Sequence, residues 1–181
     1  PLADPYVLGI SSGASLGATL AIMLGIGSFL GGNSVGICAF IGAMLTSFAV
    51  IAIANMGGKA TSAKLILAGM AISAVCSAFS NFVIYITNDK NAATEVMKWN
   101  MGSLAGASWA RVSAMMLVTL VCVLLFLTQY RSLNLMLLGD EVSITLGTDL
   151  HRLRTVYLVV ASVMIGFAVY CAGVIGFVGL V

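Results

Sequence analysis

The sequence has few charged side chains. Lysine, arginine, aspartate and glutamate make up 8% of its 181 residues, whereas soluble domains carry roughly 25%. No charged residue occurs between Pro5 and Gly58, and 61% of the chain is hydrophobic. The formal net charge of +2 is small, and no basic run is interleaved with aromatic residues. These features exclude a typical soluble domain and a nucleic-acid partner.

Motifs for metal, cofactor and nucleotide binding are also missing. The four cysteines lie in separate apolar runs, without a CxxC pair and with a single histidine in the chain. This spacing fits neither a disulfide framework nor a zinc site, so we expect packing thiols, no metal and no cofactor. Lys59 follows a Gly-Gly pair but lacks the spacing of a Walker A loop. Since no nucleophile, base and orienting group converge, we expect no enzyme activity and no ATP binding by that loop.

Long apolar runs dominate the chain instead. About 20 apolar residues cross a bilayer as a helix, and the runs do not alternate in polarity as barrel strands do. The prediction is therefore an all-α, polytopic transmembrane bundle forming one domain over 1–181. Its five predicted spans are 7–26, 35–54, 65–86, 112–127 and 156–181.

The polar connectors predict the orientation. Basic residues concentrate on the cytoplasmic side, and the 55–64 turn and the 131–154 segment hold five of the eight: Lys59, Lys64, Arg131, Arg152 and Arg154. Both connectors are therefore expected in the cytoplasm. A short amphipathic helix is expected outside, at 92–100, with Trp99 and Trp109 at the interface. Because the chain does not start with Met and Val181 lies inside an apolar run, we expect a fragment cut at both ends.

Two rows of residues recur every four positions. The first, Gly9, Gly13, Gly17, Ala21 and Gly25, predicts close packing against another helix. The second is polar and consists of Gly69, Ser73, Ser77, Asn81 and Tyr85. It indicates either hydrogen bonding between helices or the lining of a conduit. No Asp, Glu, Lys or Arg lies near the middle of a predicted span, which argues against coupling to an ion gradient.

Several segments, in order, resemble the FecCD/BtuC permeases, the membrane subunits of ABC importers for iron-siderophores, haem and vitamin B12. The segment that starts at Pro1 resembles their PLA-[DE]-P-x-x-LG-[IV]-S-x-GA signature, and Thr61-Ser62 with the following LILAG resembles TS-x-x-L-x-LAG. Trp99 to Leu104 resembles W-x-x-GS-[LF]. The segments from Leu138 and from Ala172 resemble LG-[DE]-x-A-x-x-LG and AG-x-IGF-[IV]GL-[IV]. They depart from these patterns at 142–144 and at Val174.

The resemblance implies roles for individual residues. The 131–154 segment looks like the family's pair of coupling helices, with six residues matching the ATPase contact: Leu138, Gly139, Asp140, Glu141, Leu146 and Gly147. Leu2, Thr61 and Ser62 match a cytoplasmic gate. The polar row from Gly69 to Tyr85 would then line the translocation path at a dimer interface.

The function expected from this resemblance is that of a permease subunit in an ATP-driven importer of iron-siderophore, haem or corrinoid. Its expected partners are a second permease copy or paired permease, two ATP-binding cassette subunits and an extracytoplasmic binding protein. The expected location is the inner membrane of a bacterial or archaeal cell. A secondary carrier, which would show a charged or unwound site at mid-membrane, and a non-transporting scaffold are the alternatives.

Overall fold

The computed structural model describes residues 9–25, 34–56, 61–137 and 150–174, and every regular element within them is a helix. The all-α prediction is therefore confirmed. The helices are α1 (Ile10–Met23), α2 (Ser34–Asn55), α3 (Ser62–Thr87), α4 (Lys90–Asn100), α5 (Trp109–Thr128), α6 (Tyr130–Leu137) and α7 (Leu150–Ala172).

Four of these helices are long and apolar enough to cross a membrane. They are α2, α3 from Ala63, α5, and α7 from Leu153. The last span, predicted at 156–181, overlaps α7, which ends at Ala172 before Gly173 with its left-handed φ of +78°, and 175–181 lie outside the described residues. α6 and the first turn of α7 overlap the polar segment predicted at 131–154, which the family resemblance likens to a pair of short helices.

The first predicted span, 7–26, is a shorter helix than expected. α1 has 14 residues, and left-handed glycines flank it, with φ of +75° at Gly9 and +65° at Gly25. Glycine adopts this conformation without the steric cost that other residues meet, and it interrupts a helix. Hydropathy alone does not predict the two ends of α1, because the apolar run continues through both glycines.

Capping side chains define the ends of the shorter elements. The Asp89 carboxylate accepts from the backbone N–H groups of Asn91 (2.9 Å) and Ala92 (3.4 Å) at the start of α4. The 11 residues of α4 are too few to cross a bilayer. Trp99, on this helix, packs against the main core, whereas Trp109 at the start of α5 is 87% exposed.

The core forms around α1, which contacts α2, α3, α4 and α7. Its small side chains, such as Ala14 and Ala18, pack with Ala39 and Ala43 of α2 and Val169 of α7. A second cluster, near the other end of α2, joins α2 and α3 through Val50, Ala54, Leu65 and Ala68. Small residues bring these backbones close, as is typical of membrane helices.

Candidate functional site

The polar row of α3 divides into two parts. Gly69 is buried under the start of α1, where a Cβ at Gly9 would lie 3.0 Å from the Gly69 carbonyl oxygen. One turn further, the Ser12 hydroxyl donates a hydrogen bond to Ser73 Oγ over 3.1 Å. Ser77, Asn81 and Tyr85 are exposed, and the exposed fraction of Tyr85 reaches 83%.

The spacing suggested that the row forms one straight face of α3. The structure shows that it does not. Four residues turn an α-helix by about 400°, so each step shifts the side chain by roughly 40° around the axis. Over the four steps from Gly69 to Tyr85, the row moves from the side that contacts α1 to the side away from it. Helix–helix hydrogen bonding thus accounts for Ser73 and leaves Ser77, Asn81 and Tyr85 on an exposed surface.

The small residues of α1 show the same drift. Gly9 lies against α3, whereas Gly13 and Gly17 lie against α2. A Cβ on Gly13 would overlap the Thr46 side chain, and one on Gly17 would overlap the Cys38 carbonyl. Ala21 is buried as well. The prediction of close packing does not hold at Gly25. No atom lies within 4 Å of a Cβ built there, and Gly25 forms a left-handed turn after the helix.

We expect Gly13→Leu to lower the free energy of unfolding of the full-length protein by about 2 kcal/mol, because Leu would force α1 away from Thr46. The measurement is denaturant unfolding in mixed micelles. Ala49→Leu is the matched control, since Ala49 is an exposed small residue of α2. If Gly13→Leu is as stable as this control, close packing of α1 on α2 contributes nothing.

Of the predicted gate residues, Thr61 has a defined local role. It is exposed, and its hydroxyl accepts from the Lys64 backbone N–H over 3.4 Å, which caps the start of α3. Ser62 is the first residue of α3. Leu2 lies outside the described residues.

The predicted ATPase contact also lies outside the described residues, since Leu138, Gly139, Asp140, Glu141, Leu146 and Gly147 fall between α6 and α7. The two helices that flank this segment in the sequence are described. α6 ends at Leu137 and α7 begins at Leu150. These ends and the start of α3 lie on the same side of the bundle if the long helices cross in alternating directions.

Two of the quoted motifs meet at the opposite end of the bundle. The Ser103 backbone N–H donates to the Ala172 carbonyl over 2.8 Å. Next to this bond, Gly102 and Gly173 both have positive φ and lie against each other, so that a Cβ on Gly173 would be 3.0 Å from the Gly102 Cα. The motif around Trp99 and the motif from Ala172 therefore form one backbone junction between the end of α4 and the end of α7.

Further polar contacts between helices were not predicted from the sequence. Ser15 donates to Asn100 over 2.7 Å, which joins α1 to α4, and the buried hydroxyls of Ser47 and Ser162 lie 2.5 Å apart between α2 and α7. Serines within apolar runs were the available signal. Their partners are distant in sequence, so spacing does not reveal the pairs.

Comparison with known proteins gives consistent results. The profile of the FecCD transport family matches residues 1–181. The chain is 39% identical over 181 residues to the cobalamin import system permease protein BtuC of Halobacterium salinarum, covering 100% of this chain and 48% of that protein. It is 38% identical over 183 residues to the hemin transport system permease protein HmuU of Yersinia pestis, covering 100% of this chain and 54% of that protein.

A solved structure also matches. It is described as an inward-facing metal-chelate type ABC transporter, and it aligns with a TM-score of 0.87 at 26% identity. The alignment covers 100% of this chain and 56% of the solved chain. The chain thus spans about half the length of the relatives it matches.

Proposed function

The chain belongs to the FecCD transport family, and on that basis we propose that it is part of the membrane-spanning permease subunit of an ATP-driven importer of metal chelates. Its helices make it a multi-pass membrane protein. No bond of the substrate is made or broken in this role. The permease provides the path, and ATP is hydrolysed on separate partner subunits.

The exposed polar row on α3 is the structural observation that supports a path through the permease. Ser77, Asn81 and Tyr85 interrupt the surface of an otherwise apolar helix. Polar side chains within a membrane face a partner or a water-filled cavity in preference to lipid. A path between two permease copies, with this row on each side, satisfies that requirement.

The roles that we propose for the gate and the ATPase contact are based on the resemblance to the family. Leu2, Thr61 and Ser62 would narrow the cytoplasmic mouth of the path. The segment with Leu138, Gly139, Asp140, Glu141, Leu146 and Gly147 would contact an ATP-binding cassette subunit, so that closure of the ATPase pair rocks the spans between outward and inward access. An extracytoplasmic binding protein would deliver the substrate at the end where α4 lies, in a cell inner membrane.

The substrate class follows from the named relatives. One is a cobalamin permease, one a hemin permease, and the solved structure is of the metal-chelate type. Corrinoids, haem and iron-siderophores are all bulky chelates, and we propose a substrate of this class. The binding protein would determine which of these chelates is transported.

The test is uptake by proteoliposomes that hold the full-length permease with its cognate ATPase and binding protein. We expect chelate uptake that requires ATP and persists when ionophores remove ion gradients. Uptake driven by a gradient without ATP would establish a secondary carrier. A complete absence of uptake for the whole panel of cobalamin, haem and iron-siderophores would favour the scaffold.

A labelling experiment tests the path itself. In a full-length variant without native cysteines, we expect Asn81→Cys to react severalfold faster with a charged thiol reagent than Phe79→Cys. The reactive species is the thiolate, which forms in water and not in lipid. Phe79 is the matched control, because it is exposed on the other side of α3. Equal rates at both positions would contradict a water-filled path along the row.

A further inference from the structure

The end of α7 and the end of α4 touch backbone to backbone. A Cβ built at Gly102 would lie 2.7 Å from the Val174 carbonyl oxygen, and one built at Gly173 would lie 2.8 Å from the Trp99 carbonyl oxygen. The hydrogen bond from the Ser103 N–H to the last residue of α7 lies beside these contacts, at 2.8 Å. Because backbone atoms make the contact, no change of side-chain rotamer can relax it. The two helix ends are therefore held in one relative position.

Side chains attach α4 to the same part of the bundle. Trp99 packs against the core cluster that includes Ala14 of α1 and Val169 of α7. The next residue, Asn100, accepts a hydrogen bond from the Ser15 hydroxyl of α1 over 2.7 Å. Close-packed contacts of this kind transmit a displacement and do not absorb it. α4 is thus fixed to α1 and α7 at its carboxyl end.

The connection between α4 and α3 is of a different kind. Only two residues, Asn88 and Asp89, join the helices, and Asn88 has a left-handed φ of +48°. A cleft of about 500 Å³ lies beside this turn, and Ile86 of α3 and Ala93 of α4 are among the residues that line it. Hinges are commonly a few residues at the ends of elements. The turn has the position and the free space that a hinge requires.

α7 connects the two ends of the bundle. Its 23 residues run from Leu150 to Ala172, a length of about 34 Å at 1.5 Å per residue. Its first residue follows the segment that we propose as the ATPase contact, and its last residue lies at the junction with α4. Rigid helices are among the elements that carry coupling between distant sites.

We propose that α4 and α7 move as one body, and that the Asn88–Asp89 turn absorbs their movement relative to α3. A displacement of α7 at the ATPase contact then reaches the opposite end of the bundle through α4. This inference rests on the proposed function, since the ATPase subunit supplies the displacement. It groups α4 with α7, although α4 follows α3 directly in the sequence.

Two distances in the full-length permease, assembled with its ATPase in a bilayer, test which helix α4 follows. Spin labels on Thr94→Cys and Val156→Cys measure α4 against α7, and labels on Thr94→Cys and Leu67→Cys measure α4 against α3. The three positions are exposed, and the native cysteines are replaced. Pulsed electron paramagnetic resonance compares the nucleotide-free state with the state that binds a non-hydrolysable ATP analogue. We expect the α4–α7 distance to stay constant and the α4–α3 distance to change.

Two results would overturn the proposal. One is a change in the α4–α7 distance, because α4 would then move against α7. The other is a constant distance in both pairs, because the turn would then have no movement to absorb. Uptake is measured on the same preparations. Absence of ATP-driven uptake by the unlabelled transporter counts against the proposed function, whereas intact uptake with either distance result counts against this inference alone.

A backbone substitution tests the junction itself. Ser103→Pro removes the N–H that donates to the Ala172 carbonyl. Ser103→Ala is the matched control, because it keeps this N–H, and both variants lose the hydroxyl that accepts from the Ala105 N–H. We expect only Ser103→Pro to broaden the distribution of α4–α7 distances and to reduce uptake. Equal behaviour of the two variants would contradict a rigid junction.

Reversible cross-links test the proposal without disturbing the junction. A bifunctional thiol reagent that joins Lys98→Cys to native Cys171 should leave uptake unchanged, since both residues line one cavity between α4 and α7. The same reagent between Ile86→Cys and Ala93→Cys, across the cleft beside the turn, should stop uptake until it is cleaved. Monofunctional reagents on each cysteine control for bulk. Uptake lost through the first link, or kept through the second, would refute the assignment of α4 to the α7 body.

Discussion

Gly173→Ala is expected to lower the free energy of unfolding of the full-length permease by about 3 kcal/mol, because the substitution combines backbone strain with overpacking. Gly173 has a φ of +78°, which L side chains rarely adopt. The added Cβ would also lie 2.8 Å from the Trp99 carbonyl oxygen, and that backbone atom cannot rotate away. The measurement is denaturant unfolding in mixed micelles.

A second glycine separates the two costs. Gly25 has a similar φ of +65°, but nothing lies within 4 Å of a Cβ there. Gly25→Ala should therefore carry the strain alone, about 1 kcal/mol. If Gly25→Ala and Gly173→Ala lower the stability equally, the contact between the ends of α4 and α7 contributes nothing.

The sequence was informative where the physical signal is local. Apolar runs predicted the four long helices, because a helix in lipid must satisfy its own backbone and therefore needs a continuous apolar sequence. The helix predicted at 92–100 lies at Lys90–Asn100, beginning two residues earlier because Asp89 supplies its cap. The apolar runs and the capping residue both lie within, or next to, the helices that they specify in the sequence.

The sequence was less informative where the contact is distant. The ends of α1 depend on the left-handed conformations of Gly9 and Gly25, which apolar composition does not reveal. Gly102 and Gly173 meet across 71 positions, and either alone reads as an ordinary turn glycine.

The polar row of α3 shows how a regular spacing can mislead. A repeat of four residues approximates the helical period without matching it. Ser73 consequently lies against α1, whereas Asn81 and Tyr85 lie away from it. Part of the row is thus structural, and the proposed path uses only the exposed part.

The second large effect is expected at the proposed ATPase contact. We predict that the double substitution Asp140→Lys and Glu141→Lys abolishes co-purification of the ATPase subunit and ATP-driven uptake, while the permease still inserts and assembles. The two acidic residues fall between α6 and α7, outside the long apolar helices. Even at a helix start, where the family resemblance would place these residues, a reversed charge costs only about 0.3 to 1 kcal/mol per residue. That cost is too small to unfold the bundle.

Glu95→Lys controls for a charge reversal of the same kind at the other end of the bundle, because Glu95 is exposed on α4. It should leave ATPase association at the wild-type level. Co-purification and uptake are measured side by side on the full-length double variant, with membrane insertion checked by protease protection. Wild-type values of both would limit Asp140 and Glu141 to a local role such as helix capping. Loss of association with intact insertion would instead indicate a direct contact.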